Sequence, residues 1–367
     1  MWRVNSAGDA LSFNDETWSL EANMIYLDQP FNVGFSSSDP DVKVTDEAIV
    51  SEYVFNFLTG FFKKYPQYNG RDFFVTGESF GGRYVPSVSA YILRKAASGQ
   101  GLPVTLKGVE VGNGWLNAEH QFSGYVNQAA PASSDPDCAP NGPKGPVPEC
   151  GGHGWFTQAE ADFAYKAAAE CEKMISEGHV PTGDSACELI YEEVLRKAQD
   201  KLGYQPNEYD YAIPCVIPGL CYNFTSQTDY FNMPAVQSAL NVKPTQWEIC
   251  ASVDITIYDR DNSSVPAMLE ILDSGVPLFH MNGVLDTICN EYGVYNVLTQ
   301  MGWTHQEAWN AVPFKQWSVD GKVAGSFKTL NGLTFARVLG GGHMVPHDAS
   351  SSALAVFKAF LTNTPLA

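Results

Sequence analysis

Short runs of apolar residues, each ending in turn or small polar residues, recur along this chain: ANMIYL (Ala22–Leu27), DFFV (Asp72–Val75), GVEV (Gly108–Val111), VPLFHM (Val276–Met281) and LTFARV (Leu333–Val338). Runs of this length read as buried strands, the habit of sheets covered on both faces. Helical patterns lie between them. The clearest spans Asp46 to Lys64, where Val50, Val54, Phe57, Leu58 and Phe61 mark one face at helical spacing. Strands alternating with helices of this length predict an α/β domain with a mainly parallel central sheet.

That rhythm stops after Trp115 and resumes near Val265. The intervening region opens with the turn-rich PASSDPDCAPNGPKGPVPECGGHG and then turns helical. Thr157 to Glu177 is the clearest helix there, started by the capping-box pattern Thr157-Gln-Ala-Glu160. The reading is therefore a core in two parts, residues 1–125 and 265–367, interrupted by an insertion over residues 126–264. Seven of the eight cysteines fall between Trp115 and Val265. An insertion unable to close much of a core of its own, and stapled by disulfides above the sheet, accounts for both its composition and its cysteines.

Charge narrows the partners. Forty-one acidic against 22 basic residues give a formal charge of −19, which repels phosphate backbones and anionic lipid heads and argues against a nucleic-acid or membrane-surface role. An acidic compartment suits such a chain, because self-repulsion falls as carboxylates protonate. The cysteines (Cys138, Cys150, Cys171, Cys187, Cys215, Cys221, Cys250 and Cys289) form no C-x-x-C pair and no zinc-finger spacing, so disulfides are expected and a metal is not. Two acceptor sequons, Asn223-Phe-Thr and Asn262-Ser-Ser, agree with the secretory route. The chain begins MWRVNSAGDALSF, without the apolar run of a signal peptide, and nowhere holds 18 consecutive apolar residues for a membrane span.

The candidate chemistry centres on Gly77-Glu78-Ser79-Phe80-Gly81, a G-x-S-x-G between the strand DFFV and a helical pattern beginning near Gly82. In that context the pentapeptide forms a strained turn that lifts a serine hydroxyl above the sheet edge; alone it reads more readily as an ordinary turn. A serine hydroxyl needs a histidine base, and the imidazole needs a carboxylate to fix its tautomer. Asp286, in HMNGVLDTICN, and His343, in LGGGHMVPHDAS, each follow a strand and complete the order Ser, Asp, His of the α/β-hydrolases. Singly, Asp286 reads as a loop aspartate and His343 as a turn histidine; three candidates at successive strand ends in this order weaken both readings. His343 and His347 form an H-x-x-x-H pair broken by Pro346, with no glutamate after the first histidine, so a zinc-protease helix is excluded. GNGWLN lacks the third glycine of a dinucleotide fingerprint, no P-loop occurs, and no cofactor is expected.

These blocks resemble a known family. GESFGGRYVP, YLDQPFNVGFS (Tyr26 to Ser36), VGNGW (Val111 to Trp115), NGVLDTICN and GGGHMVP are similar to signatures of the serine carboxypeptidases, acid-active α/β-hydrolases that remove C-terminal residues from peptides. The resemblance implies Ser79 as nucleophile, His343 as general base and acid, Asp286 as its orienting carboxylate and the Phe80 N–H as an oxyanion-hole donor. It implies that Glu78 holds the substrate's terminal carboxylate, which two carboxyl groups allow only while one keeps a proton, so activity should fail as pH rises. Trp115, Phe122 and Tyr125, with Phe80, match positions lining the pocket before the scissile bond, and Met344 matches the leaving side. All five read as core too, the commoner fate of an aromatic at such spacing. The insertion matches the family's cap, the substrates are peptide or protein C-termini, and the destination is extracellular or vacuolar.

The family also carries Asn-Gly-Gly-Pro-Gly-Cys-Ser-Ser on a loop that supplies a second oxyanion donor, an asparagine for the substrate carboxylate and the cysteine that pairs with the position of Cys289. This sequence does not contain it. Expected consequences are a truncated form with impaired turnover, an unpaired Cys289, and an exposed sheet edge. An acyltransferase that passes the acyl group to an alcohol, and a pseudoenzyme that binds without turnover, are the alternatives.

Overall fold

The computed structural model describes residues 2–39, 42–138, 142–179, 185–217, 220–250 and 262–367. Two-residue to nine-residue strands are numbered along the chain: β1 (Trp2–Val4), β2 (Leu11–Phe13), β3 (Asp72–Glu78), β4 (Thr105–Gly112), β5 (Pro206–Asn207), β6 (Asp210–Pro214), β7 (Leu278–Gly283), β8 (Lys315–Val319), β9 (Lys322–Leu330) and β10 (Leu333–Val338). Six of them form the central sheet, in the order β3-β4-β7-β10-β9-β8. β3, β4, β7 and β10 run parallel, whereas β9 alone runs the other way, antiparallel to both β10 and β8. The sheet is thus mixed and mostly parallel, as expected. The β8–β9 hairpin turns at Asp320-Gly321, both at positive φ (50° and 75°), which suits the strand twist at a two-residue turn.

Apolar side chains fill both faces. Val109, Val111, Leu278, Leu333 and Phe335 point into a cluster under the helices Gly81–Ala97 (α2), Val265–Asp273 and Glu291–Gln300. Phe279, Met281, Ala336 and Val338 face the helix Ser350–Thr362 on the other side. The helix Glu47–Lys64 (α1) lies outside α2. The Asp46 side chain accepts from the Ile49 N–H, and Lys63 and Lys64 meet the helix's negative end. Its inner face differs from the expected one: Val50, Phe55, Leu58 and Phe62 are buried while Phe57 is exposed. Ser51 accounts for the rotation, its hydroxyl lying 2.8 Å from that of Ser87 on α2.

The run Ala22–Leu27 is not a strand. Strand geometry needs a neighbour for its backbone groups, and none is paired here. Instead Ala22 and Met24 pack beside Phe357 and Phe360, with Trp18 stacked on Phe357 at 4.2 Å, and Ile25 and Tyr26 stay exposed.

Between β4 and β7 the helices Ala118–Ala129 (α3), Gln158–Ser176 (α4) and Ala186–Leu202 (α5) build a second core. Thr157 and Glu160 cap α4 reciprocally, and Gly203, at φ 78°, closes α5 in the left-handed conformation. Phe156, Ala161, Ala168, Ile190 and Val194 are buried there together with Trp115, Phe122 and Tyr125. The expectation of a region with little core of its own is corrected: apolar stripes on three helices close against each other. Disulfides fasten this packed unit. Cys171–Cys187 joins α4 to α5, Cys138–Cys150 closes the proline-rich loop, and Cys215–Cys221 the loop after β6. Cys289 is a buried free thiol and Cys250 an exposed one. Among the described residues no helix is long and apolar enough to cross a membrane, and no cluster of His, Cys, Asp or Glu could hold a metal.

Candidate active site

Ser79 stands at the sharp turn from β3 into α2 with φ 61°, a conformation a side chain adopts only under local constraint. Three backbone bonds supply it. The Ser79 N–H donates to Gly112 O (3.0 Å), and the Ser79 carbonyl accepts from the N–H groups of Gly82 (2.8 Å) and Trp115 (2.9 Å). The strain falls on the serine and not on the flanking glycines, whose role is close approach. A Cβ on Gly82 would come within 2.5 Å of Trp115 O, and one on Gly77 within 2.6 Å of Val85. Pro86 leaves the carbonyl of Gly82 without its helical donor, and the Ser264 hydroxyl takes that place at 2.7 Å. Phe80 follows the serine and leads directly into α2, so the helix's positive end lies beside the Ser79 hydroxyl.

Asp286 and His343 sit on the loops after β7 and β10. His343 Nδ1 lies 2.8 Å from Asp286 Oδ2, and both side chains are buried. Burial alone would lower the His343 pKa; the charge and hydrogen bond of Asp286, with Glu78 and Asp348 behind, raise it overall. Asn113 links this pair to the serine's strand turn. At φ 41°, it donates to Asp286 Oδ2 (2.7 Å) and accepts from the Gly283 N–H (3.1 Å), one residue beyond the Gly112 carbonyl that holds Ser79. Gln128 of α3 donates to the Asp286 carbonyl at 2.8 Å. The turn between β5 and β6 holds both loops: the His343 N–H donates to Tyr209 O (2.6 Å), the Thr287 and Ile288 N–H groups to Glu208 O (3.0 and 3.1 Å), and the Tyr211 N–H to Leu285 O (3.0 Å). Among the described residues the Ser79 hydroxyl forms no hydrogen bond. An unliganded site commonly leaves that link open.

Glu78 ends β3 and opens to solvent at the mouth of the site, with protein packed around it. That packing pushes its carboxyl up to about 7; His343 pulls it back, and Asp286 and Asp348 push it further up. The part still open to water limits the rise without reversing it. Trp115, Phe122 and Tyr125 are brought together as buried edge-to-face rings, at 5.6 and 5.8 Å, with Phe80 packed at the edge of the same cluster. Met344, beside His343, is half-buried. Asn223 and Asn262 are exposed. His347, itself exposed, pairs with the nearly buried Asp348 at 2.8 Å. A separate cavity of about 200 Å³, lined by Glu47, Arg83, Arg94 and Glu270 among others, contains none of these residues.

Sequence reasoning gave Asn113, Gln128 and Tyr209 no role. Only Asn113 left a signal, as the polar residue of VGNGW at a strand end where an asparagine tolerates positive φ.

The family model for serine carboxypeptidases matches residues 1–363. The chain is 30% identical over 366 residues to serine carboxypeptidase-like 48 of Arabidopsis thaliana, covering 97% of this chain and 67% of that protein. To serine carboxypeptidase-like 47 of the same plant it is 31% identical, covering 66% of that protein's length. Serine carboxypeptidase S10 family member 1 of Dictyostelium discoideum is 30% identical over 364 residues, with 79% of its length covered. The chain thus spans about two thirds of the Arabidopsis relatives it matches. Among solved structures, Kex1(delta)p, a prohormone-processing carboxypeptidase from Saccharomyces cerevisiae, superposes with a TM-score of 0.77 at 22% identity, over 99% of this chain and 78% of the other, and shares its fold. The chain belongs to the serine carboxypeptidase family, serine-type peptidases of the α/β-hydrolase fold.

Proposed function

We propose that this chain removes C-terminal residues from peptides at acidic pH, with Ser79 as nucleophile, His343 as general base and acid, and Asp286 as the group that orients His343. The observation that carries this reading is the buried His343–Asp286 pair beside a serine held at positive φ on a strand-to-helix turn. Ser79 Oγ attacks the last peptide carbonyl while His343 takes its proton. Collapse of the tetrahedral intermediate expels the terminal amino acid, protonated by His343, and leaves an acyl-enzyme. Water, deprotonated by His343, then releases the shortened peptide. The Phe80 N–H at the start of α2 stabilises the oxyanion.

Glu78 receives the substrate's terminal carboxylate in its protonated form. Because its pKa lies near 7, that form is lost as pH rises through about 7, and binding weakens there. His343 acts as base only when neutral, which sets the acid limit. Protonation of Glu78 removes one of the charges that raise the His343 pKa, which moves the acid limit downward while Glu78 keeps its proton. Trp115, Phe122 and Tyr125 line an apolar subsite for the residue before the scissile bond, and Met344 faces the leaving residue. Disulfides and sequons at exposed Asn223 and Asn262 support a secretory destination, extracellular or vacuolar.

The test is release of free amino acid from an N-blocked dipeptide near pH 5. Turnover that disappears in Ser79→Ala and is much weaker toward the dipeptide amide is expected. Turnover indifferent to Ser79→Ala, or equal on the amide, overturns the reading.

A further inference from the structure

A second carboxyl stands behind Glu78. Glu110 of β4 is 3% exposed, and its Oε1 is buried without a hydrogen-bond partner. The register pairs Thr76 with Glu110 and Glu78 with Gly112, so both glutamates project from the same face of adjacent strands, two residues apart. Gly112 puts no side chain between them: a Cβ there would stand 3.8 Å from Glu110 Oε1, 3.8 Å from Met281 Cε and 3.9 Å from Glu78 Cγ. An ionised carboxylate in such a place needs a cation or several donors. On this face the neighbours are Phe279 and Met281 of β7, and the helix Ser350–Thr362 brings one charged residue, Lys358, which is exposed and paired with Glu21. His280 of β7 is in register with Val111 and therefore points to the opposite face. Among the described residues the only charge acting on Glu110 is that of Glu78. Glu78 itself also faces His343, Asp286, Asp348 and His347.

We propose that Glu110 is a positioning residue for the carboxylate-binding site: a buried carboxylic acid that keeps its proton and turns it toward Glu78 across Gly112. Glu78, nearer to water, ionises first, and its charge, together with burial, holds the Glu110 proton in place until about pH 8. Glu110 thereby aims Glu78, and stabilises its ionised form when that form appears. The role in substrate binding rests on the function proposed above, whereas the coupling of the two carboxyls does not.

Two substitutions separate positioning from space-filling, Glu110→Gln, which keeps a donor, and Glu110→Met, which keeps the volume without one. The first readout needs no turnover: infrared titration of the carboxylic-acid carbonyl band in the full chain, with Glu110→Gln and Glu78→Gln identifying each group. The expected result is a protonated Glu110 at pH 6 whose titration midpoint falls in Glu78→Gln, and a Glu78 midpoint that rises by about one pH unit in Glu110→Met but not in Glu110→Gln. A Glu110 already ionised at pH 6, or midpoints indifferent to each other, would overturn the proposal. The second readout is the pH profile of KM for the blocked dipeptide. Glu110→Met should raise KM at pH 5 about tenfold with kcat little changed, and should move the alkaline limb upward. Coupled titrations with a KM that ignores Glu78→Gln would leave the carboxyl pair standing and sink the substrate role of Glu78 instead; a KM identical in Glu110→Met and the parent chain would sink the positioning role.

Discussion

The two halves of the candidate site rest on differently built parts of one sheet. Asp286 and His343 follow β7 and β10, whose twelve residues are all buried and which are paired on both sides. Glu78 ends β3 and Ser79 follows it; among the described residues β3 is an edge strand paired with β4 alone, and no residue along it is fully buried. The acid–base pair is accordingly fixed before substrate arrives, by Asn113, Gln128 and the turn at Glu208 and Tyr209. The nucleophile is held by its own turn and by Gly112 and Trp115. Orientation of an imidazole within a buried network is thus a property of the sheet's interior, and access to a substrate carboxylate a property of its edge.

The largest effects should come from breaking the chemistry that joins the halves. Ser79→Ala should lower kcat by about 10⁶-fold with folding intact by circular dichroism, and Asp286→Asn by about 10⁴-fold, because the imidazole then settles in the wrong tautomer. A residual rate within tenfold of the parent for either would separate that residue from the reaction.

Next come changes confined to the interior half. Arg337 of β10 makes a buried two-pronged ion pair with Glu291, at 2.6 and 2.7 Å, tying the strand before His343 to the helix after Asp286. Arg337→Met leaves the carboxylate buried alone and should cost about 3–5 kcal/mol in urea unfolding. Phe335→Ala, at a fully buried position of the same strand, should cost a similar 3–5 kcal/mol. Val75→Ala on β3, half-buried, should cost only about 1 kcal/mol, and equal costs on the two strands would erase the contrast.

The edge half should declare itself through pH. Glu110 and Glu78 have folded pKa values raised above that of an unfolded glutamate, so the folded state holds protons that the unfolded chain releases. Their contribution is complete below about pH 4.5 and is lost as pH rises toward about 8. The melting temperature should therefore fall across that range, and Glu110→Gln should flatten the fall by an amount on the order of a few kcal/mol at pH 8. Thermal scans at pH 5 and pH 8 decide it, and a slope unchanged by Glu110→Gln contradicts it.

Much of the interior was legible because local signals agreed there. LTFARV is bounded as β10, G-x-S-x-G sits between a strand and a helix, and the capping box starts α4 where Thr157 places it. What escaped depends on neighbours. ANMIYL has strand composition but no partner to pair with. Phe57 fits a helical face that the Ser51–Ser87 contact turns away from the core. Asn113 acquires meaning only when folding brings Asp286 beside it, and Glu110 looks like a polar break in GVEV until the register sets it beside Glu78. The β8–β9 hairpin could have been read from its Asp320-Gly321 turn.

The most direct test of the account is covalent labelling of the folded chain with a fluorophosphonate that traps activated serines, mapped by mass spectrometry. A single adduct on Ser79, lost in His343→Gln, is the result predicted for a serine aimed from the sheet's edge at a preassembled histidine. No adduct on the folded chain, or an adduct on Ser79 that forms equally fast in His343→Gln, would contradict it.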